Sequence, residues 1–248
     1  MQLNNGRPFV PAGLVDRLRL RRAALRYAAH GWAVTPGACL EGRRFACGRA
    51  GCPIRGCHPA IESWEDDAST DAARVAAWWR RRPYPVLLAT GGKFDVLEVP
   101  APAGLRALGA ARLRAHVSGW PAVFRCGSAE PLEPGHTHGR GPVAVGPTGR
   151  WMFFVRPGSA LRAELDSCLD VVLHSRGSWV PAAPTRMPEG AVRWAVAPST
   201  VHWQLPDSAT VQATLVEALA ALGRRPVKGD VERAVTVPRQ MSTSRRAL

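Results

Sequence analysis

Lysine is nearly absent: Lys93 and Lys228 are the only two in 248 residues, although Lys and Arg together number 33. No apolar run approaches the ~18 residues that cross a bilayer, which excludes a spanning helix. Met1 to Gly6 show no basic start leading into an apolar stretch, so no export signal is read and a cytoplasmic setting is expected. There is no internal repeat and no coiled-coil heptad. A Gly-x-x-x-x-Gly-Lys-Ser/Thr phosphate loop is also missing, so ATP-driven unwinding would fall to a partner.

What is present is a basic chain able to fold. The length suits one domain, or one with a short appendage, and 46% hydrophobic residues can bury a core, which excludes wholesale disorder. The net charge is +14. Arg in place of Lys, with abundant Ala, Gly and Pro, is what a GC-rich genome produces, so part of the excess has no ligand behind it. The remainder draws the chain to polyanions and points to nucleic acid as the macromolecular partner. A solvated Arg-rich surface without a ligand is the alternative that composition leaves open.

Periodicity predicts a helix from Leu14 to Ala29, a short strand ending at Pro36, and a second helix capped near Thr70-Asp71 and stopped by Pro83. Strands follow at Val86 to Ala89 and Phe94 to Val99, with Gly91-Gly92 as a turn, then a helix from Pro102 to His116. Val117 to Gly141 lacks periodicity and reads as a long loop, where His136, His138 and Cys126 are taken as surface residues rather than a second metal site. A hairpin turns at Thr148-Gly149-Arg150, and further strands are expected at Asp170 to His174, Ser178 to Ala182 and Val192 to Val196. Asp207 or Ser208 caps a last helix ending near Leu222. Helices around strands that mostly meander predict an α+β fold with a largely antiparallel sheet. Trp78, Trp79 and Phe153 are expected in the core, whereas Trp151 or Trp179 could stack on a base.

Four cysteines crowd an irregular loop at about residues 37–60, spaced Cys39-x7-Cys47-x4-Cys52-x4-Cys57 and followed at once by His58. In a reduced compartment such a cluster points to structural zinc, with three or four of the five side chains as ligands. Free, partly buried thiols are the other reading.

Several segments resemble the N-terminal domain of bifunctional DNA primase/polymerases, the prim-pol branch of the archaeo-eukaryotic primase superfamily, and more narrowly its short actinobacterial members. They are Ala24 to Ala28 with Gly31-Trp32; Cys57-His58-Pro59; Trp64 with Ala68 to Asp71; Trp78-Trp79; Ala89-Thr90-Gly91; and Phe94 to Pro100. Gly141 to Ala144, Pro147 to Arg150, Phe153 to Val155 and Ser178 to Pro184 complete the set, over about residues 20 to 198. The resemblance implies a primase/RRM-like core over residues 1–200; the capped run within 201–223 and the polar, basic, aperiodic residues after it predict a C-terminal helix at 201–223 and a flexible basic tail at 224–248. It further implies a template-directed nucleotidyl transferase in which an acidic pair on one strand, a histidine on the next and a third acid hold two Mg²⁺ or Mn²⁺ ions and the triphosphate.

Carried over, Glu98 takes the first acid's place and Asp170 the third, but the second acid's place is Pro100 and the histidine's is Trp151. Asp95 stands three residues from Glu98 and so faces the other side of a strand. Glu98 with Asp170 can hold at most one weakly bound ion. The expectation is a decayed nucleotidyl-transfer site on a retained fold that still binds DNA or nucleotide, with Lys93, Arg150 and Arg176 meeting phosphates. The rivals are an active primase or polymerase using Glu98, Asp170 and Asp95, and a zinc-stabilised protein-interaction module. Any replication role needs a helicase or other replication proteins as partners.

Overall fold

The computed structural model describes residues 12–117 and 141–223. The predicted loop histidines, Cys126 and the basic tail at 224–248 lie outside the described residues. Helix α1 (Ala12–Ala29) leads into β1 (Val34–Pro36), and a small hairpin follows, β2 (Cys39–Glu41) with β3 (Arg44–Ala46). A one-turn helix α2 (Trp64–Asp67) precedes α3 (Ala72–Arg81), whose N-cap Asp71 accepts from the Arg74 amide as the sequence predicts. Strands β4 (Val86–Ala89) and β5 (Asp95–Pro100) and helix α4 (Ala101–Val117) close the first half. The second half holds β6 (Val143–Val145), β7 (Arg150–Val155), α5 (Ala163–Asp166), β8 (Val172–His174) and β9 (Trp179–Pro181). It ends with β10 (Arg186–Met187), β11 (Gly190–Ala191), β12 (Arg193–Val196) and α6 (Ser208–Ala220), capped by Asp207.

The fold is α+β and every strand pairing among the described residues is antiparallel. The expected meander is corrected. Only β2–β3, β6–β7 and β10–β11 pair consecutive strands; the others assemble into a three-stranded sheet β1-β4-β9 and a five-stranded sheet β12-β6-β7-β5-β8. Strand periodicity specifies faces and not neighbours, so crossovers are invisible to it.

Alternation along β5 divides the protein into two cores. Val96, with Met152 and Phe154 from β7, faces a cluster built on Trp32 from the α1–β1 connection, Val34 from β1, and Val75 and Trp79 from α3. Leu97 and Val99, with Trp151 and Phe153, face α4 and α6, where Leu215 is fully buried. Helix α6 packs into the second core. Gly104 of α4 lies so near Trp151 that an added Cβ would come within 2.4 Å of the ring. Among the described residues no helix is long and apolar enough to cross a membrane.

Candidate functional site

Glu98 lies on the face of β5 that looks toward the first core, between β7 and β8. Directly opposite it stand Met152 and Val172. Side chains diagonal across a strand pair remain within reach of long residues, and here both diagonals are polar. From β7, Arg150 Nε donates to Glu98 Oε1 at 2.7 Å. From β8, His174 Nε2 donates to Glu98 Oε2 at 2.9 Å, while Ser178 Oγ meets the other ring nitrogen at 2.9 Å. A carboxylate only accepts, which places the proton on Nε2. Both oxygens of Glu98 are thus engaged by groups 52 and 76 residues away in sequence.

Glu98 is 21% exposed and Arg150 27%, so this is a shielded pair and not one of the solvated contacts that contribute almost nothing. Burial by itself would raise the Glu98 carboxyl; the hydrogen bonds and charges of His174 and Arg150 outweigh it and hold the group below its ordinary value. Arg150 also donates through Nη2 to the Asp170 carbonyl at 2.8 Å. Asp170 itself is exposed, two residues ahead of Val172 at the mouth of β8.

The other candidates separate from this group. Asp95 is buried on the opposite face, where Oδ2 accepts from the Gly158 amide at 2.9 Å. Burial raises its carboxyl, and the Gly158 and Gly91 amides offset only part of that. Lys93 and Arg176 are exposed in turns at the other end of β5. Those turns touch: a Cβ on Gly91, whose φ is +84, would fall 2.2 Å from the Arg176 backbone. Trp78, Trp79 and Phe153 are core or packed against it as expected. Base stacking by Trp151 or Trp179 is corrected, since both are buried. Because alternation turns residue 151 into the second core, the side chain that β7 offers to Glu98 is Arg150, and the imidazole comes from β8. His174 and Ser178 escaped the sequence reading because only strand register brings them to Glu98.

The cysteine lobe gathers three of its five candidates. Sγ of Cys47, Sγ of Cys52 and a ring nitrogen of His58 lie within 4.8 Å of one another. His58 is buried, and its chain neighbourhood is tied to the start of the lobe by the Ala38 amide, which donates to the His58 carbonyl at 2.7 Å. Its Nδ1 donates to the Gly56 carbonyl at 2.7 Å, which leaves Nε2 facing Cys52 Sγ at 3.6 Å. A second hydrogen bond of that kind is what orients a ligating imidazole. Tetrahedral zinc, with bonds of about 2.3 Å to sulfur and 2.0–2.1 Å to nitrogen, sets its donors roughly 3.6 Å apart, so this spacing fits the ion. Burial would raise the Cys47 thiol, but His58, the Arg49 amide and Cys52 lower it to about 7, toward the thiolate that zinc takes. Cys39 and Cys57 do not join the cluster. Burial raises both, Cys57 to about 12, where it packs beside Trp64, Leu87 and Trp179.

Glu98 thus sits on an inner strand of a five-stranded antiparallel sheet, in an α+β domain that also carries a Cys/His lobe. Residues 24–209 match the family "Bifunctional DNA primase/polymerase, N-terminal", and the chain belongs to it. No curated protein matches the chain.

Proposed function

We propose that this chain, of the short actinobacterial type, keeps the prim-pol fold as a nucleic-acid or nucleotide-binding accessory and has lost most of its nucleotidyl-transfer chemistry. The observation that carries this reading is the clamp on Glu98. Two-ion transfer needs carboxylate oxygens that bridge the ions and leave room for phosphate and water. At Glu98 one oxygen is held by a guanidinium and the other by an imidazole. Pro100 offers no side-chain oxygen, and Asp95 is bonded on the far face. These residues do not fit a two-ion Mg²⁺ or Mn²⁺ site. Arg150, Lys93 and Arg176 remain as groups suited to phosphate.

Primer extension on a DNA template, run with Mg²⁺ and with Mn²⁺, tests the catalytic half. The expected result is no incorporation above background. Robust incorporation that vanishes in Glu98→Ala would overturn the reading and restore an active enzyme.

The lobe fits a structural zinc on Cys47, Cys52 and His58, with a fourth position left to a water or another ligand. The ion would supply cross-linking of an irregular loop, and no chemistry at Glu98. Metal analysis after purification without chelator is expected to find about one zinc per chain; less than ~0.2 would sink it. Unwinding and loading would come from separate replication proteins such as a helicase.

A further inference from the structure

One face of α1 carries a line of cations that the Glu98 site does not use. Arg19, Arg22 and Arg26 are three and four residues apart, which puts them on one helix face, about 4.5 and 6 Å apart along the axis at 1.5 Å per residue. All three are exposed, and none forms an ion pair with a carboxylate among the described residues. They border a groove of about 600 Å³ whose far wall includes Pro184 and Trp194. Tyr27 anchors that wall: its hydroxyl donates to the Ala183 carbonyl at 2.6 Å and accepts from Trp194 Nε1 at 3.1 Å. One turn beyond Arg26, exposed His30 stacks on Trp203 with ring centres 3.7 Å apart and planes 13° from parallel.

Like charges on neighbouring turns repel, and the one acid on this face, Asp16, stands three residues before Arg19 and so is a neighbour of that end of the stripe only, not of Arg22 or Arg26. A ligand that relieves the repulsion must be a polyanion with regularly repeated charge, and the rings at the rim suit flat partners. Cations in a row with aromatic rings beside them are how single strands are held without sequence preference. We propose that the Arg19, Arg22 and Arg26 stripe of α1, flanked by Trp194 and the His30–Trp203 stack, is a docking track for the backbone of single-stranded nucleic acid. This rests on the nucleic-acid-binding reading above and names the surface that performs it; the stripe shares no residue with the Glu98 site.

The test is fluorescence anisotropy of the full chain with a labelled oligothymidylate of about 20 nucleotides, long enough to cover such a track, titrated across salt. The wild type is expected to bind, more weakly as salt rises. The R19A/R22A/R26A variant is expected to lose about 10- to 100-fold in affinity at low salt, and its log–log salt slope to flatten by about 2. Lysine at the three positions should restore most of both. A charge-matched control, R43A/R44A/R106A, alters three exposed arginines elsewhere and should lose several-fold less. Equal loss in the two alanine variants, or an unchanged R19A/R22A/R26A in a chain that does bind, would overturn the track alone. No binding by the wild type at low salt would overturn the wider reading with it, and binding of polyglutamate instead would reassign the stripe to an acidic protein segment. Circular dichroism and melting, unchanged in all variants, keep these outcomes separate from misfolding.

Discussion

Glu98 shows how one carboxylate can tie three strands together. Its two oxygens accept from Arg150 and His174, so the acid joins β7, β5 and β8 across the sheet. Removing the charge while keeping the shape, as in Glu98→Gln, leaves a shielded guanidinium without its counter-ion and is expected to cost about 1–3 kcal/mol in denaturant unfolding. Because its partners hold the carboxyl below its ordinary value, the contribution is complete above about pH 4.3 and is lost as pH falls through the lowered folded value. The wild-type advantage over Glu98→Gln should therefore shrink below about pH 4, in unfolding curves taken at matched ionic strength; an advantage that grew on acidification would contradict the assignment. The cysteines make the same point. Cys47→Ser and His58→Ala should purify with little zinc, whereas Cys39→Ala and Cys57→Ala should keep it, because their thiols lie outside the cluster.

Elements were largely legible where a local rule governs them. Asp71 and Asp207 cap α3 and α6 as their position before apolar-periodic runs predicts. The turn before Arg150 is closed by the Gly146 amide, which donates to the Arg150 carbonyl at 2.8 Å, with Gly149 at φ +79. Elements too short to show a period were missed: α2, α5, the β10–β11 hairpin, and the β2–β3 hairpin inside the cysteine segment, which reads as an irregular loop. Nor does any pattern announce Gly104, whose missing side chain lets α4 settle on Trp151. Alanine there gains about 1 kcal/mol of helix propensity but forces the indole or the helix to move, at about 1–3 kcal/mol. The net expectation for Gly104→Ala is a lower melting temperature, and a raised one would mean that the contact is loose.

At the scale of the whole molecule, one sheet serves two cores, so damage on one face should be felt on the other. Trp32 and Trp79 are fully buried in the first core, while Leu215 of α6 is fully buried in the second. Leu215→Ala is expected to cost about 2–5 kcal/mol. Tryptophan fluorescence, dominated by the first core, should still report the same midpoint as far-UV circular dichroism. Separate midpoints would show that α6 and its core form an independent unit. The sequence by itself determined the α+β character, the antiparallel strands and the crowded cysteine loop, since each follows from side-chain alternation, capping or identity within a few residues. Only the tertiary structure decided which strands are neighbours, which three of five metal candidates converge, and that Arg150 and His174 close on Glu98. The reason is range: periodicity tells a side chain which face it occupies, but its partners there are set by crossovers and register between segments many tens of residues apart.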